Sequence, residues 1–389
     1  MKVLVAHNRY RSDMPSGENI VVDAEIASLR AAGVDVVPMI TESDSVSLRS
    51  PAGLAAAALG PVYAPGGVPR FRELLTTERP DVVHLHNVYP LLSPWVVRTA
   101  HHHGVPVVQT VHNFRHDCVA GSYFRNGAIC TECAGRAFAS PAIAHGCYRG
   151  SHAQSVPMAV GRSVHRSTWR SVERFLALTP FHAEFLRSLG VPPERIVVRP
   201  TSAPDPGEPA PPTSKDVLFA GRLDEQKGIR LLLDAWRTRE HPSGGMLRIV
   251  GDGPLRELVE DAASRDASVV AYGRVEADAV ADRIRAAGAV IIPSTWFEGL
   301  PRVLVEALSH GRTVAVSDIG GLGAVVDDRI GWRFAPTVQG VRAGLDALAT
   351  GDLRARGLAA RETYLASYAP DVTTHALLAV YDDVSRSPR

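Results

Sequence analysis

Lysine is almost missing from this chain. Of its 42 basic residues only Lys2, Lys215 and Lys227 are lysine, so arginine is the default cation and a retained lysine carries information. We read the bias as GC-rich coding, expected of a high-GC bacterium. Asparagine is nearly as scarce. The five asparagines all lie before residue 127, and three of them follow a histidine: His7-Asn8, His86-Asn87 and His112-Asn113. Net charge is lacking too. A formal charge of +1 offers no general attraction to nucleic acid or to an anionic membrane. No nucleic-acid partner is therefore expected, and peripheral membrane contact is not indicated. No run approaches the roughly 20 apolar residues of a membrane-spanning helix. The opening MKVLVAHNRYRSD holds too short an apolar stretch for a secretory signal. A cytoplasmic location is the expectation.

What is present is a strict alternation of strand and helix. At 389 residues, with 45% apolar and 21% charged residues, the chain is long enough for two or three globular domains. Buried strands are predicted at 2–7, 35–39, 81–86, 105–112 and 174–179, with helical patterns between them, among them 18–32, 91–103 and 181–189. A proline-rich segment, RPTSAPDPGEPAPPTSK (199–215), has no apolar periodicity and reads as a linker. A second set of strands follows at 216–221, 246–251, 268–273, 289–293 and 312–317, with helices opening at Ile229, Pro254, Glu276, Pro301 and Val338. The fold class is α/β: two Rossmann-like doubly wound domains, expected to face a central cleft with their strand C-terminal ends. The domains read as 1–205 and 214–368, closed by a helix at 369–389. The three His-Asn pairs fall at strand ends of the first domain, which favours a ligand surface there.

Three stretches carry chemistry. In FAGRLDEQKGI (219–229) a strand ends in Gly221 and a helix opens near Gly228, so backbone amides and a helix N-terminus are available to an anion. Arg222 adds a planar fork and Lys227 a point charge, a natural pair for a diphosphate. Before the first long helix, Gly17 allows a ligand to approach the backbone closely. YGRV (272–275) offers Gly273 and Val275 as a backbone rest for a nucleobase. The third stretch, PSTWFEGLPRVLVEAL (293–308), sets Glu298 and Glu306 around a Gly-Leu-Pro turn. Glu306, inside the helix from Pro301, suits the two hydroxyls of a ribose. Glu298, in the preceding loop, suits hydroxyls of a second sugar, and the amides of Gly299, Leu300, Pro301 and Arg302 surround the helix start.

With GRL…K, GDGP, YGRV and EGLPRVLVE in this order, the chain resembles the retaining glycosyltransferases of family four, which have the GT-B fold and a Glu-x7-Glu motif. The resemblance covers nearly the whole chain and is strongest over 217–326. It implies that the second domain holds a nucleotide diphospho-sugar, most simply a UDP-hexose or UDP-N-acetylhexosamine. The first domain would then hold a small-molecule or glycan acceptor, with Asn87, Asn113 and Arg115 as candidate contacts. Arg222 and Lys227 would neutralise the leaving diphosphate, His112 would touch the donor sugar, Glu298 would bind its hydroxyls and Glu306 the ribose. No metal is expected in catalysis, and the chain has no Asp-x-Asp triplet. Two departures stand out: a single glycine in the first loop, and a contraction of the usual EGFGLP to EGLP, which brings Trp296 and Phe297 up against Glu298. A nucleotide-sugar epimerase is the rival within the fold, with Glu18 and Asp117 as its only carboxylate candidates. A catalytically silent sugar-nucleotide-binding protein is the rival outside enzymology.

All four cysteines, Cys118, Cys130, Cys133 and Cys147, sit in a long insertion at about 115–155. Their C-x11-C-x2-C-x13-C spacing is compatible with a structural zinc, with His116 and His145 as further candidate ligands. Buried thiols and disulfides are the alternatives. After it, Arg162, Arg166 and Arg170 recur at helical spacing and read as a solvated basic face.

Overall fold

The structure is a computed structural model that describes residues 1–10, 16–45, 51–239 and 245–386; Met14 and Pro15 of the first loop lie outside the described residues. In chain order the strands are β1 (Lys2–Arg9), β2 (Asp35–Glu42), β3 (Val82–Leu85), β4 (Val107–Val111), a short hairpin β5 (Phe124–Arg125) and β6 (Ala128–Ile129), β7 (Arg174–Ala177) and β8 (Ile196–Val198). They continue as β9 (Val217–Ala220), β10 (Leu247–Val250), β11 (Val269–Ala271), β12 (Ala289–Ile292), β13 (Thr313–Ser317) and β14 (Gly331–Phe334). The chain divides into two compact units. One comprises Met1–Tyr123, Cys130–Arg199 and Thr374–Arg389, the other Phe124–Ile129 and Pro200–Thr373.

Each unit is built on a six-stranded parallel sheet, ordered β2-β1-β3-β4-β7-β8 in the first and β11-β10-β9-β12-β13-β14 in the second. Parallel strands require crossovers, and the helices that supply them cover both sheet faces. The alternation is visible residue by residue. In β9, Leu218 joins one buried apolar cluster with Val290 and Ile292, while Val217 and Phe219 join another with Ala289 and Ile291. In the first unit Val3 and Val5 of β1 pack with Val22, Ile26 and Leu29 of α1 (Gly17–Ala31). The same cluster takes Leu377, Val380, Tyr381 and Val384 from the last helix, Pro370–Arg386.

Strand order reverses between β1 and β3 in the first sheet and between β9 and β12 in the second. At such a switch point neighbouring loops leave in opposite directions and open a crevice at the strand C-terminal ends. The β9–β12 register holds for only two residue pairs, Ala289↔Val217 and Val290↔Leu218, so the strands part before the loops that carry Arg222 and Glu298. The edge strands β8 and β14, short and bounded by proline and glycine, are elements the apolar runs do not announce. The basic face predicted after the cysteine insertion does not exist. The helix His152–Val164 ends before Arg166, which opens a separate turn at Arg166–Trp169, and Arg162 is buried. Among the described residues no helix is long and apolar enough to cross a membrane.

Candidate functional site

In the second unit two loops are laced together. Thr295 N donates to Gln226 O (2.9 Å) and Thr295 Oγ1 to Glu225 O (2.7 Å). Gly228 has φ +71°, and a Cβ there would stand 1.8 Å from Pro293 O, so only glycine lets the loops touch. This seam brings Lys227 Nζ to 2.6 Å from Glu298 Oε1, which also accepts from Ser294 Oγ at 2.7 Å. Lys227 further stands 5.7 Å above the Trp296 ring. Glu298 is buried, so this cation and hydroxyl satisfy a charge that burial would otherwise penalise. Arg222 is bonded to Asp224 and reaches Gln226 Oε1 at 2.9 Å, with 43% of its side chain exposed. One turn into the helix Arg302–Ser309, Glu306 Oε1 meets Arg302 Nε at 2.7 Å and stays partly open.

The remaining predicted donor residues take different stations. Gly273 bonds to Gly251 through its carbonyl (2.9 Å) and has φ +66°. Val275 and Leu300 pack on the apolar cluster beneath. A side chain at Gly17 would meet nothing within 4 Å, so the protein itself does not demand glycine there. Gly299 is tied down differently: a Cβ on Gly321 would collide with its carbonyl at 1.9 Å.

In the first unit the three His-Asn pairs divide their labour. The asparagines stitch backbone. Asn87 Nδ2 donates to Asn8 O (2.8 Å) and Tyr89 O (3.1 Å) while its Oδ1 accepts from Tyr89 N (3.1 Å). Asn113 Oδ1 accepts from Arg115 N (3.0 Å). An acceptor bound through Asn87 would have to displace one of those bonds. The histidines instead converge. The rings of His7 and His86 lie 6.1 Å apart, and those of His86 and His112 lie 5.2 Å apart and stacked. His86 and His112 border a cavity, partly open to solvent, whose walls include Glu18, Tyr89, Arg115 and His116; His7 lies outside that lining. Burial holds His112 down to about 3, and burial likewise takes His7 and His116 to about 4. Arg115 Nε has no partner in that wall.

Behind the cavity is a group that the sequence reading missed. Glu25 on α1, bonded to Arg199, lies 3.2 Å from His86 Nε2 and 3.3 Å from His84 Nδ1. Signals for it existed: two histidines at alternate positions of an apolar strand, and a glutamate on the apolar stripe Val22-Ile26-Leu29.

The cysteine insertion is organised around Asp117. Its carboxylate takes Arg162 Nη2 (2.5 Å), Tyr123 Oη (2.6 Å) and Gly135 N (3.2 Å), and Arg162 also donates to Cys133 O and Arg136 O. All four cysteines are free thiols. Burial, with Cys118 and Cys130 nearby, raises the Cys133 thiol. Among the described residues the one set of three potential metal ligands within 4.8 Å of one another is Glu25, His84 and His86. His116 is engaged with Gln109 (3.1 Å) and His145 with Glu132 (2.9 Å).

Residues 16–201 match the model of a glycosyl transferase 4-like domain, and residues 214–350 that of glycosyl transferases group 1. The phosphatidyl-myo-inositol mannosyltransferase of Mycobacterium leprae is 27% identical over 405 aligned positions, covering 97% of this chain and 96% of that protein. The protein of the same name from Mycobacterium tuberculosis is 31% identical over 186 positions, 46% of this chain and 49% of that one. The match spans under half of several curated relatives: 35%, 49%, 47% and 44% of their lengths. Among solved structures, sucrose-phosphate synthase from Thermosynechococcus elongatus superposes with a TM-score of 0.70 at 18% identity, covering 98% of both chains. Anabaena HepE in complex with UDP gives 0.65 at 15% identity, covering 98% of this chain and 100% of that one.

Proposed function

Because the chain belongs to the GT-B glycosyltransferases that join a 4-like domain to a group 1 domain, we propose that it moves a hexosyl or N-acetylhexosaminyl group from a nucleotide diphospho-sugar, with UDP the first choice of nucleotide, to an acceptor hydroxyl with retention at the anomeric carbon. The observation that carries this is the laced loop pair: one lysine retained in an arginine-rich chain, poised on a buried glutamate that is itself held by Ser294. In the free protein Lys227 and Glu298 neutralise each other. A donor would exchange that pair for two better-matched contacts, Lys227 on the diphosphate and Glu298 on sugar hydroxyls. Arg222, largely exposed, would join Lys227 on the phosphates, and Glu306 would take the ribose diol.

In that arrangement the anomeric carbon–oxygen bond to the diphosphate breaks, its electron pair leaving with the phosphate. The acceptor oxygen forms its bond on the same face, and its proton passes to the departing phosphate oxygen. Cations fixed beside the leaving group stabilise charge that develops only in the transition state. They do so without a metal in this reading. The first domain, through the cavity beside His112, would hold the acceptor. The acceptor belongs to a secondary metabolite or a cell-envelope glycan. The epimerase reading is disfavoured because Asp117 is spent on Arg162 and Tyr123 rather than paired with Glu18. For the cysteine insertion we retain a structural zinc on Cys118, Cys130, Cys133 and Cys147; the action of Cys118 and Cys130 on the Cys133 thiol supports it, while no three of these thiols stand within 4.8 Å of one another. One zinc per chain, lost in Cys133→Ser, is expected from elemental analysis; a zinc-free chain would leave Asp117–Arg162 as the staple.

The test of the main reading is calorimetric titration with UDP, GDP and dTDP in EDTA, repeated on Lys227→Ala. Binding of one nucleotide, lost in the variant, is expected. Absence of binding by all three sinks the reading. For turnover, removing a preorganised charge from a leaving group costs about 10²–10³-fold in kcat.

A further inference from the structure

The mechanism above leaves unused a deeply buried ionisable cluster of the first unit. His84 in β3 and His86, the residue just after it, face the same side in continuation of the strand's alternation, and α1 sets Glu25 against them. Both histidines and Glu25 are at most 7% exposed. Ligand atoms this close would suit a cation, but Arg199 is bonded to the second carboxylate oxygen of Glu25 and already supplies the positive charge. A divalent ion would sit beside a buried guanidinium. The cluster is better read as a hydrogen-bond chain with a direction.

That direction can be followed atom by atom. Burial alone would push Glu25 up, but Arg199 and the two histidines outweigh it and hold the carboxyl well below its usual range. Glu25 is therefore an anion that can only accept. His86 Nε2 faces it at 3.2 Å, an ion-pair contact outside hydrogen-bond geometry in which neither atom has another hydrogen-bond partner, and the carboxylate favours a proton on that nitrogen over a lone pair. A second proton on His86 would add a buried cation with no counter-charge, since Arg199 already balances Glu25. His86 Nδ1 is thus bare, and it lies 2.9 Å from His112 Nε2. His112, kept neutral by burial, has one proton to place, and Nε2 is where a partner accepts it. His84 is satisfied independently: Nε2 by Thr110 Oγ1 at 2.8 Å, Nδ1 by Tyr381 Oη at 2.6 Å. His7, from β1, meets His86 only edge-on.

We infer that Arg199, Glu25 and His86 form a positioning relay that locks His112 as the Nε2–H tautomer and leaves its Nδ1 a bare acceptor. The consequence is a chemical preference at the cavity. A bare Nδ1 takes a hydrogen bond from a hydroxyl and repels a phosphate or carboxylate oxygen, so the group read by His112 is a neutral hydroxyl. That preference rests on the glycosyltransferase reading; the tautomer does not.

The experiment is nitrogen NMR of the full chain with 15N-labelled histidine, His112 being assigned by its absence in His112→Gln. At pH 6 to 8 the expected signature is a pyridine-type Nδ1 and a pyrrole-type Nε2. In His86→Phe, and in the charge-balanced double variant Glu25→Gln/Arg199→Met, this should collapse to a mixture of both tautomers, and either variant suffices if the other fails to fold. With a nucleotide sugar found by calorimetry, kcat should fall roughly 10- to 100-fold in these variants while KM for the donor changes little. A proton on Nδ1 in the unaltered chain, or an unchanged His112 signature in a folded variant, overturns the relay. The expected signature in a chain that binds no nucleotide would sink the glycosyltransferase reading and leave the relay standing.

Discussion

The two candidate regions solve opposite problems with the same sheet. In the second unit the working side chains hang on loops beyond β9 and β12, held by backbone hydrogen bonds and a glycine contact, and the cations Arg222 and Lys227 reach toward solvent over the buried Glu298. In the first unit the polar groups are Glu25 on α1 and the residues that immediately follow β3, β4 and β8, sunk into the core, each dependent on the next. A loop site tolerates rearrangement when a charged ligand arrives, because its charges already have water within reach. A core network does not, because every broken link strands a group that burial penalises. We conclude that the second region is built for exchange of partners and the first for constancy.

Acidification should separate them most sharply. Histidines depressed in the folded state are stable while neutral. Below about 6.5 the unfolded chain takes protons that the folded chain refuses, so stability drains as pH falls toward the folded value. Six such histidines belong to the first unit: His7 and His116 at about 4, His112 and His182 at about 3, and His84 and His165 also lowered, burial being the main cause in each. Glu25, held well below 4.5, adds the same sign at lower pH. Among the described residues of the second unit, His310, at about 4, is the one comparable group. Hydrogen exchange followed from pH 7 to 4 should show the first unit losing protection before the second. Simultaneous loss would erase the contrast.

Arg162→Met leaves Asp117 buried without its cation, and denaturant unfolding should report a loss of about 3–5 kcal/mol. A cost under 1 kcal/mol would mean that this staple is dispensable. Glu306→Gln keeps shape but weakens acceptance from a diol, so the donor KM should rise about tenfold, about 1.4 kcal/mol, with kcat little changed. A fall in kcat alone would move Glu306 to the reacting centre. Gly17→Ala is the mildest. A methyl there meets no protein atom, so stability should stay within about 0.5 kcal/mol, and any rise in KM reports a ligand passing close by. A Tm shift of many degrees would refute the open-space reading.

How much was readable in advance follows from the same contrast. The ten strands β1–β4, β7 and β9–β13, the proline-rich break at 199–215, the loops holding Arg222, Lys227 and Glu298 and the helix holding Glu306 were legible because apolar runs, turn residues and motif order are local properties. β8 and β14 were not, since edge strands three or four residues long leave little apolar run. The stretch around Arg162 misled because spacing alone cannot tell a solvated arginine from one aimed at Asp117, forty-five positions earlier. The relay escaped because Glu25, His86 and Arg199 are neighbours only once α1, β3 and β8 are assembled.

The last helix gives the molecule a schedule as well as a shape. Leu377, Val380, Tyr381 and Val384 complete the apolar cluster begun by Val3 and Val5, so the first unit contains residues from before and after the second. During synthesis its earlier portion emerges first but must wait for the helix Pro370–Arg386 before the core can close, while the second unit, nearly continuous in sequence, can close earlier. Vectorial synthesis would therefore mature this protein in the reverse of its written order.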